Sequence, residues 1–339
     1  MNGQFAKRFA LREPMAGASL RFHDATMNTM TTPGTALECP LKTAFLLLLL
    51  AANITSADQF RVATYNVENY LDEPTQTRAA KSAEAKARVR DCILALKPDV
   101  IALQEIGSLS ALQELRASLK AGGLDLSYWE HVTGADTNVH VAILSRFAFT
   151  ARRPRTNDYF LLGGRRFRVS RGFGEVDIQV TTNYSFTLIT AHLKSKRPIP
   201  QADEGEVRVE EAKLLREEID ARFAANPNLN LIVLGDFNDT KDAPSTRAVI
   251  GRGRHKLVDT RPAEGEGGNA ADSSPEGRQI TWTHYFAKED TYSRIDYILL
   301  SPGMAREWIR NGGYVLKIAD WGVASDHRPL LATFETEDK

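Results

Sequence analysis

From residue 60 onward the chain switches between two hydrophobic rhythms. Residues 60–65 (Phe-Arg-Val-Ala-Thr-Tyr) alternate with a period of two and are β-rich, which predicts a strand. Residues 77–96 carry Ala, charges and apolar residues at helical spacing, closed by Lys97-Pro98, which predicts a helix. The short apolar run 100–103 reads as a buried strand. Residues 109–121 read as a second helix stopped by Gly122-Gly123. Runs at 139–144, 169–180 and 186–191 predict strands, and 204–225 predicts a charged amphipathic helix. The runs 231–234, 295–300 and 330–334 complete the strands. Residues 262–279, rich in Gly, Glu, Ser and Asn, predict a mobile surface loop. No repeat and no linker interrupts this alternation. It predicts one α/β domain of about 280 residues, two layers of sheet covered by helices.

The first 57 residues stand outside the pattern. An apolar run at 44–52 follows Lys42 and ends near Thr55-Ser56-Ala57, a small-x-small pattern, so residues 30–57 resemble a secretory signal cleaved before Asp58. The run is too short to span a bilayer. Met27 or Met30 would give a signal of ordinary length. We therefore expect an N-terminal extension and signal at 1–57, a domain at 58–339, and a secreted or periplasmic protein. No stable membrane insertion is expected after cleavage. Cys39 precedes the cleavage point, so the mature chain would keep only Cys92 and could form no intrachain disulfide. Cys92 lies in a helix-like segment, which suggests burial.

The chain carries 43 basic and 43 acidic residues, which argues against coating nucleic acid or membranes by net charge alone. Removing residues 1–57 takes away five basic and three acidic residues, leaving 38 against 40 and a net charge of −2. Locally, residues 146–171 hold eight arginines against one acid, Asp158. That segment is either a solvated basic face or a groove facing phosphates.

Six polar clusters repeat one placement at strand ends. They are Tyr65-Asn66-Val67-Glu68, Gln104-Glu105, Thr190-Ala191-His192, Gly235-Asp236-Phe237-Asn238, Arg294-Ile295-Asp296 and Ser325-Asp326-His327. In an extended strand residues i and i+2 share a face, so Asn66 would point with Glu68, and Asp236 with Asn238. One histidine or acid at a strand end is usually structural. Six such clusters in one chain form an inventory for moving protons and holding a cation.

This set resembles the endonuclease/exonuclease/phosphatase superfamily across roughly residues 60–334. The resemblance implies a four-layer α/β/β/α sandwich of the deoxyribonuclease I type, with the site at one edge and a divalent cation used to hydrolyse a phosphate ester. It implies that Glu105 is the principal metal ligand, with Asn66, Glu68 and Asp326 beside it. It makes His327 the catalytic histidine and Asp296 the acid that orients it. Asp236 and Asn238 match the pair that positions the attacking water and phosphoryl oxygens. His192 matches a phosphate-contacting histidine, and Arg171 loosely matches a phosphate-contacting arginine. His140 stands where many relatives carry a small residue; a structural or rim role is expected. The neighbouring Asp326 is then not the partner of His327 but faces Glu105.

The chemistry of the residues agrees. Oxygen donors without paired Cys or His suit Mg²⁺, Mn²⁺ or Ca²⁺ rather than structural zinc. A histidine held in one tautomer by an acid suits proton transfer near neutral pH. No activated Ser or Cys motif is present, so direct in-line attack by water is expected. A secreted binding module on the same fold is the non-enzymatic alternative. The presence of Glu105, Asp236 and His327 argues against it.

The resemblance implies a phosphate-ester substrate, with nucleic acid the leading candidate. Export, the arginine-rich segment and Tyr70, Trp282, Tyr285, Tyr292 and Trp321 near the inferred site support a nuclease; each aromatic has packing as its plainer role. A phosphomonoesterase or a small-molecule phosphodiesterase is the alternative. A sphingomyelinase-like lipid hydrolase would need an exposed apolar hairpin, and Arg165-Arg166-Phe167 is polar for that purpose. No obligate protein partner is inferred.

Overall fold

The computed structural model describes residues 58–264, 281–310 and 312–339. Residues 1–57, with the expected signal, and most of the expected loop at 262–279 lie outside the described residues.

In chain order the elements are β1 Gln59–Tyr70, α1 Ala83–Leu96, β2 Val100–Ile106, α2 Leu109–Ala121, β3 Tyr128–Val132, β4 His140–Ser145 and β5 Ala148–Arg152. Next come β6 Tyr159–Leu162, β7 Arg165–Arg168, β8 Phe173–Thr181, β9 Tyr184–His192, α3 Glu204–Ala225, β10 Leu231–Asp236 and α4 Pro244–Ile250. The last are β11 Val258–Asp259, β12 Ala263–Glu264, β13 His284–Phe286, β14 Thr291–Ser293, β15 Asp296–Leu300, α5 Met304–Glu307, β16 Tyr314–Val315, α6 Trp321–Ala324 and β17 Leu330–Glu335.

Two large sheets result, ordered β12-β16-β17-β1-β2-β4-β3 and β11-β15-β10-β9-β8-β5. Each contains a parallel pair joined through a helix: β1 with β2 through α1, and β9 with β10 through α3. Alternation along the strands separates the layers. In β1, Phe60 and Val62 enter the core between the sheets, while Ala63, Tyr65 and Val67 pack beneath α1 and α2. In β10, Ile232 and Leu234 enter the shared core, while Leu231 and Val233 pack under α3 and α4. Three cores between four layers make the expected α/β/β/α sandwich.

Helix boundaries follow capping chemistry. α1 begins at Ala83, not at residue 77, because the Ser82 hydroxyl accepts the Ala85 N–H at 3.1 Å and caps it. Residues 77–82 are left as a loop that crosses toward one end of the sandwich. Cys92 is buried, as its helical position implied.

The arginine-rich segment lies on the flank of the second sheet, mostly engaged with acids. Arg146 pairs with Asp99 at 2.8 Å, Arg152 with Glu130 at 2.6 Å, and Arg153 with Glu175 and Asp177 at 2.5 Å. Arg155 pairs with Asp158 and Glu218. The solvated-face reading of the segment is thus closer than the groove, with most of its acids supplied by other elements: Glu130 on β3, Glu175 and Asp177 on β8, Glu218 on α3 and Asp99 just before β2. Arg165, Arg166 and Arg168 sit on the β6–β7 hairpin. This hairpin also exposes Leu161 (69%) and Tyr159 (51%), so it is more apolar than Arg165-Arg166-Phe167 alone suggested.

Candidate active site

The site is the polar end of the core between the sheets. On five strands the inward face changes from apolar to polar toward the same end. The series are Phe60-Val62-Thr64-Asn66, Val100-Ala102-Gln104, Leu188-Thr190-His192, Ile232-Leu234-Asp236 and, running the other way, Leu300-Ile298-Asp296. A bridge of side chains crosses from sheet to sheet just below the site. Thr64 Oγ1 donates to Gln104 Oε1 at 3.1 Å, and Gln104 Nε2 donates to Thr190 Oγ1 at 3.2 Å. Gly235, at φ +134°, brings β10 against β9; a Cβ there would lie 2.0 Å from the Ala191 carbonyl oxygen.

Beyond the strand ends the backbone turns. The Glu68 N–H donates to Asn66 Oδ1 at 3.0 Å, and the Asn238 N–H donates to Asp236 Oδ1 at 2.8 Å. Glu68 and Asn238 have φ of +43° and +55°. Both i, i+2 pairs are therefore Asx turns and not extended strand, which corrects the shared-face expectation. Each pair still meets, through the turn. The His327 N–H likewise donates to Ser325 Oγ at 3.0 Å. Glu105 sits at φ +62° on a slip in the β2 ladder. Left-handed backbone at non-glycine residues is costly, and four of the eight described instances, Glu68, Asn69, Glu105 and Asn238, fall here.

The histidine side is buried and tightly paired. His327 Nδ1 is 2.8 Å from Asp296 Oδ2, as the resemblance implied. His327 Nε2 lies 3.8 Å from Asp236 Oδ2 and 3.9 Å from Asp326 Oδ1. Burial by itself would lower the His327 pKa, but Asp296, Asp236 and Asp326 outweigh it and hold it well above 6.5. Burial pushes the Asp236 carboxyl up to about 7, with His327 opposing and Asp296 adding. His192 Nε2 is 3.4 Å from Asp236 Oδ2. Burial, then the charges of Arg171, His327, Arg78 and Lys194, hold the His192 pKa well below 6.5 and keep the ring neutral. The Asn66 amide donates to Asp236 Oδ2 at 3.0 Å, and the Asn238 amide donates to the Leu193 carbonyl at 3.0 Å.

The acid side is more open. Glu105 Oε2 accepts the Asn69 N–H at 2.9 Å, and its Oε1 lies 3.9 Å from His192 Nε2. Glu68 Oε2 accepts the Asp326 N–H at 3.2 Å. Burial raises the Glu68 pKa, and the like charges of Asp326 and Glu105 add to it. The Asp326 carboxylate rests against His284 Nε2 at 3.6 Å and against His327, where facing Glu105 was expected. Glu68 is the acid that feels both of the others.

Ten residues were singled out from sequence, and nine form this connected cluster: Asn66, Glu68, Glu105, His192, Asp236, Asn238, Asp296, Asp326 and His327. The tenth, Arg171, is buried, donates to the Leu193 carbonyl at 3.3 Å and lies 3.7 Å from Asp136. His140 is buried edge-on against His131, ring centres 4.9 Å apart, and burial lowers its pKa to about 4, which is a structural role. Tyr70 is fully buried and donates to Glu114, so it cannot stack on a ligand. Trp282 contacts Tyr292 and Trp321 at 4.8 and 5.0 Å, and Tyr285 stacks on Tyr292 at 4.6 Å. This cluster borders the site, because the Tyr285 N–H donates to the Asp326 carbonyl.

Three residues were missed. The His284 ring packs 4.5 Å from that of His327. Arg78 reaches Glu105 at 3.8 Å, and Lys81 donates to the Glu68 carbonyl at 2.8 Å. The signal for the last two was the cap: placing the helix start at Ser82 frees Arg78 and Lys81 to swing onto the acids. His284 had only its position beside an aromatic pair.

Potential metal-ligand atoms gather within 4.8 Å of one another in two groups, His284-Asp326-His327 and Asp236-Asp296-His327. Glu105, the expected principal ligand, belongs to neither group, and Glu68 lies beside the first, accepting the Asp326 N–H at 3.2 Å.

The fold recurs in solved structures. A truncated TDP2 of Caenorhabditis elegans is 16% identical with a TM-score of 0.53, over 82% of this chain and 97% of that one. Sphingomyelinase C of Streptomyces griseocarneus is 17% identical with a TM-score of 0.55, over 82% and 100%. The human Nocturnin catalytic domain is 15% identical with a TM-score of 0.54, over 84% and 98%. At such identities the likeness concerns the fold. No curated protein matches the sequence. The model of the Endonuclease/Exonuclease/phosphatase family matches residues 63–327, and the chain belongs to that family, whose members typically hydrolyse phosphoester bonds.

Proposed function

We propose that the chain is an exported, divalent-cation-dependent phosphodiesterase that cleaves nucleic acid by direct attack of water on phosphorus. The observation that carries this reading is a buried carboxyl and a cationic imidazole 3.8 Å apart. Asp236 is a carboxyl raised to about 7, and His327 is an imidazole held cationic by Asp296. A buried carboxyl beside an imidazole that a second carboxylate orients suits general acid–base work.

Asp236, aimed by the Asn238 backbone and the Asn66 amide, takes a proton from the attacking water. The new phosphorus–oxygen bond forms as the bond to the leaving oxygen breaks, and the leaving oxygen is protonated from solvent. Cationic His327 and neutral His192 donate hydrogen bonds to phosphoryl oxygens as negative charge grows. Glu105, Glu68 and Asp326, with the Asn66 amide oxygen beside them, would hold Mg²⁺, Mn²⁺ or Ca²⁺. Such a cation would offset charge on the phosphoryl and leaving oxygens.

Trp282, Tyr285, Tyr292 and Trp321 favour a nucleic-acid substrate: they border Asp326, and Tyr292 is 55% exposed, so a base could stack there. The β6–β7 hairpin, with Leu161 and Tyr159 exposed beside Arg165 and Arg166, favours a lipid-headgroup diester as second reading. A parallel assay on plasmid DNA, RNA, bis-p-nitrophenyl phosphate, p-nitrophenyl phosphate and sphingomyelin, with and without metal, separates them. Plasmid nicking is expected; turnover of sphingomyelin alone, or of the small esters alone, overturns the nuclease reading. Export predicts a mature N-terminus at Asp58, which N-terminal sequencing of the secreted protein reads directly.

A further inference from the structure

An open groove of about 990 Å³ runs along the edge of the second sheet, lined by α4, the 3-10 turn after it, β11 and the segment following α5. Six cations line it: Lys241, Arg247, Arg252, Lys256, Arg261 and Arg310. Two acids share the lining, and both are engaged. Asp242 pairs with Arg247 at 3.5 Å, and Asp259 pairs with Arg294 at 2.5 Å. Among the described residues no acid pairs with Lys241, Arg252, Lys256, Arg261 or Arg310. Four of these five are exposed, Lys241 being half-buried. This is the opposite of residues 146–171, where most arginines are neutralised. In a chain with no net charge, five cations in one concavity with no acid paired to them among the described residues form a local anion-binding field.

The groove runs away from the site: Lys241 follows Asn238 by three residues, whereas Val258 pairs with Leu300, at the end of β15 opposite Asp296. We infer that this groove binds the sugar–phosphate backbone of a nucleic acid strand extending beyond the scissile phosphate. Several cations spaced along a concave track match a chain of single negative charges, whereas an isolated phosphate ester would engage only one or two. The groove thus confers preference for polymer over small ester without touching the chemistry. The inference rests on the nucleic-acid reading of the active site.

The test combines Arg252→Glu, Lys256→Glu and Arg310→Glu, three exposed positions away from the catalytic cluster. In a His327→Ala background, which prevents cleavage, binding of a labelled DNA duplex is followed by fluorescence anisotropy over a salt series. The affinity should fall at least tenfold. The slope of log K against log salt should flatten by about 2.7, at about 0.9 for each phosphate that is no longer neutralised. With His327 restored, turnover of bis-p-nitrophenyl phosphate should be unchanged, which also reports intact folding. Unchanged duplex affinity overturns the inference. So does a variant that binds duplex normally but no longer binds phosphatidylserine vesicles, because the groove would then serve a membrane. A wild-type protein that binds duplex through the groove yet cleaves neither DNA nor RNA would overturn the nuclease reading and leave the groove standing.

Discussion

The two sides of the site are built on opposite terms. On the histidine side every charge is buried and already has its partner: His327 with Asp296, and Asp236 with Asn66 and Asn238. On the acid side Glu68 and Asp326 keep side chains 41% exposed, and Glu68 and Glu105 each accept one backbone N–H and have Lys81 and Arg78 only at 3.9 and 3.8 Å. The first side is preorganised by the fold, so the reorganisation at reaction is small. The second holds three carboxylates whose mutual repulsion remains, which the proposed cation would relieve.

That contrast can be broken most severely by metal removal. Chelation with EDTA should abolish turnover and Mg²⁺ or Mn²⁺ should restore it, while circular dichroism stays unchanged; activity that persists would deny the acid side its role. Next in size, His327→Ala should lower kcat by about 10²–10⁴ with the metal response and melting temperature retained. Near-normal kcat would remove His327 from the chemistry. Asp296→Asn should cost less, roughly ten- to a hundredfold in kcat, since the imidazole remains but its orientation and cationic form lose support. The basic limb of its pH profile should move down, a shift that simple structural damage would not produce.

The wild-type pH profile sharpens the same contrast. Asp236 must be ionised to accept a proton, and its carboxyl is raised to about 7. Activity should therefore rise up to tenfold per unit as pH climbs toward 7. It should fall again only where His327 loses its proton, well above 6.5. A flat profile between pH 5 and 7 would break the assignment. The smallest effect concerns Arg78, which faces Glu105 at 3.8 Å. Arg78→Gln should lower the half-activating metal concentration a few-fold, as a competing charge worth up to about 1 kcal/mol is removed. An unchanged metal titration would mean that Arg78 does not compensate the acid side.

Much of the site was readable residue by residue, because a strand that ends in Asp or His after an apolar run has few structural reasons to do so. The pairing of His327 with Asp296, thirty-one residues away, followed from family resemblance and is met at 2.8 Å. Reading the i, i+2 pairs as pleated strand failed at Glu68 and Asn238, since the Asx turns depend on side-chain hydrogen bonds that periodicity does not encode. Arg78, Lys81 and His284 were missed because each enters the site from a loop or short hairpin, with no rhythm to announce it. The arginines at 146–171 misled in the other direction. Their acids, Asp99, Glu130, Glu175 and Glu218, arrive from other elements.

The sequence by itself determined the layers: the period-two strands, the amphipathic helices and the change from apolar to polar at the strand ends follow from local patterning. Only the tertiary structure decided which polar ends share one space. Asn66 meets Asp236 across 170 residues of sequence because the two sheets stack through Phe60, Val62, Ile232 and Leu234. Burial between the sheets then raises the Asp236 carboxyl, and the acids gathered around His327 keep its imidazole cationic. That burial is a property of the packed sandwich, and no single strand carries it.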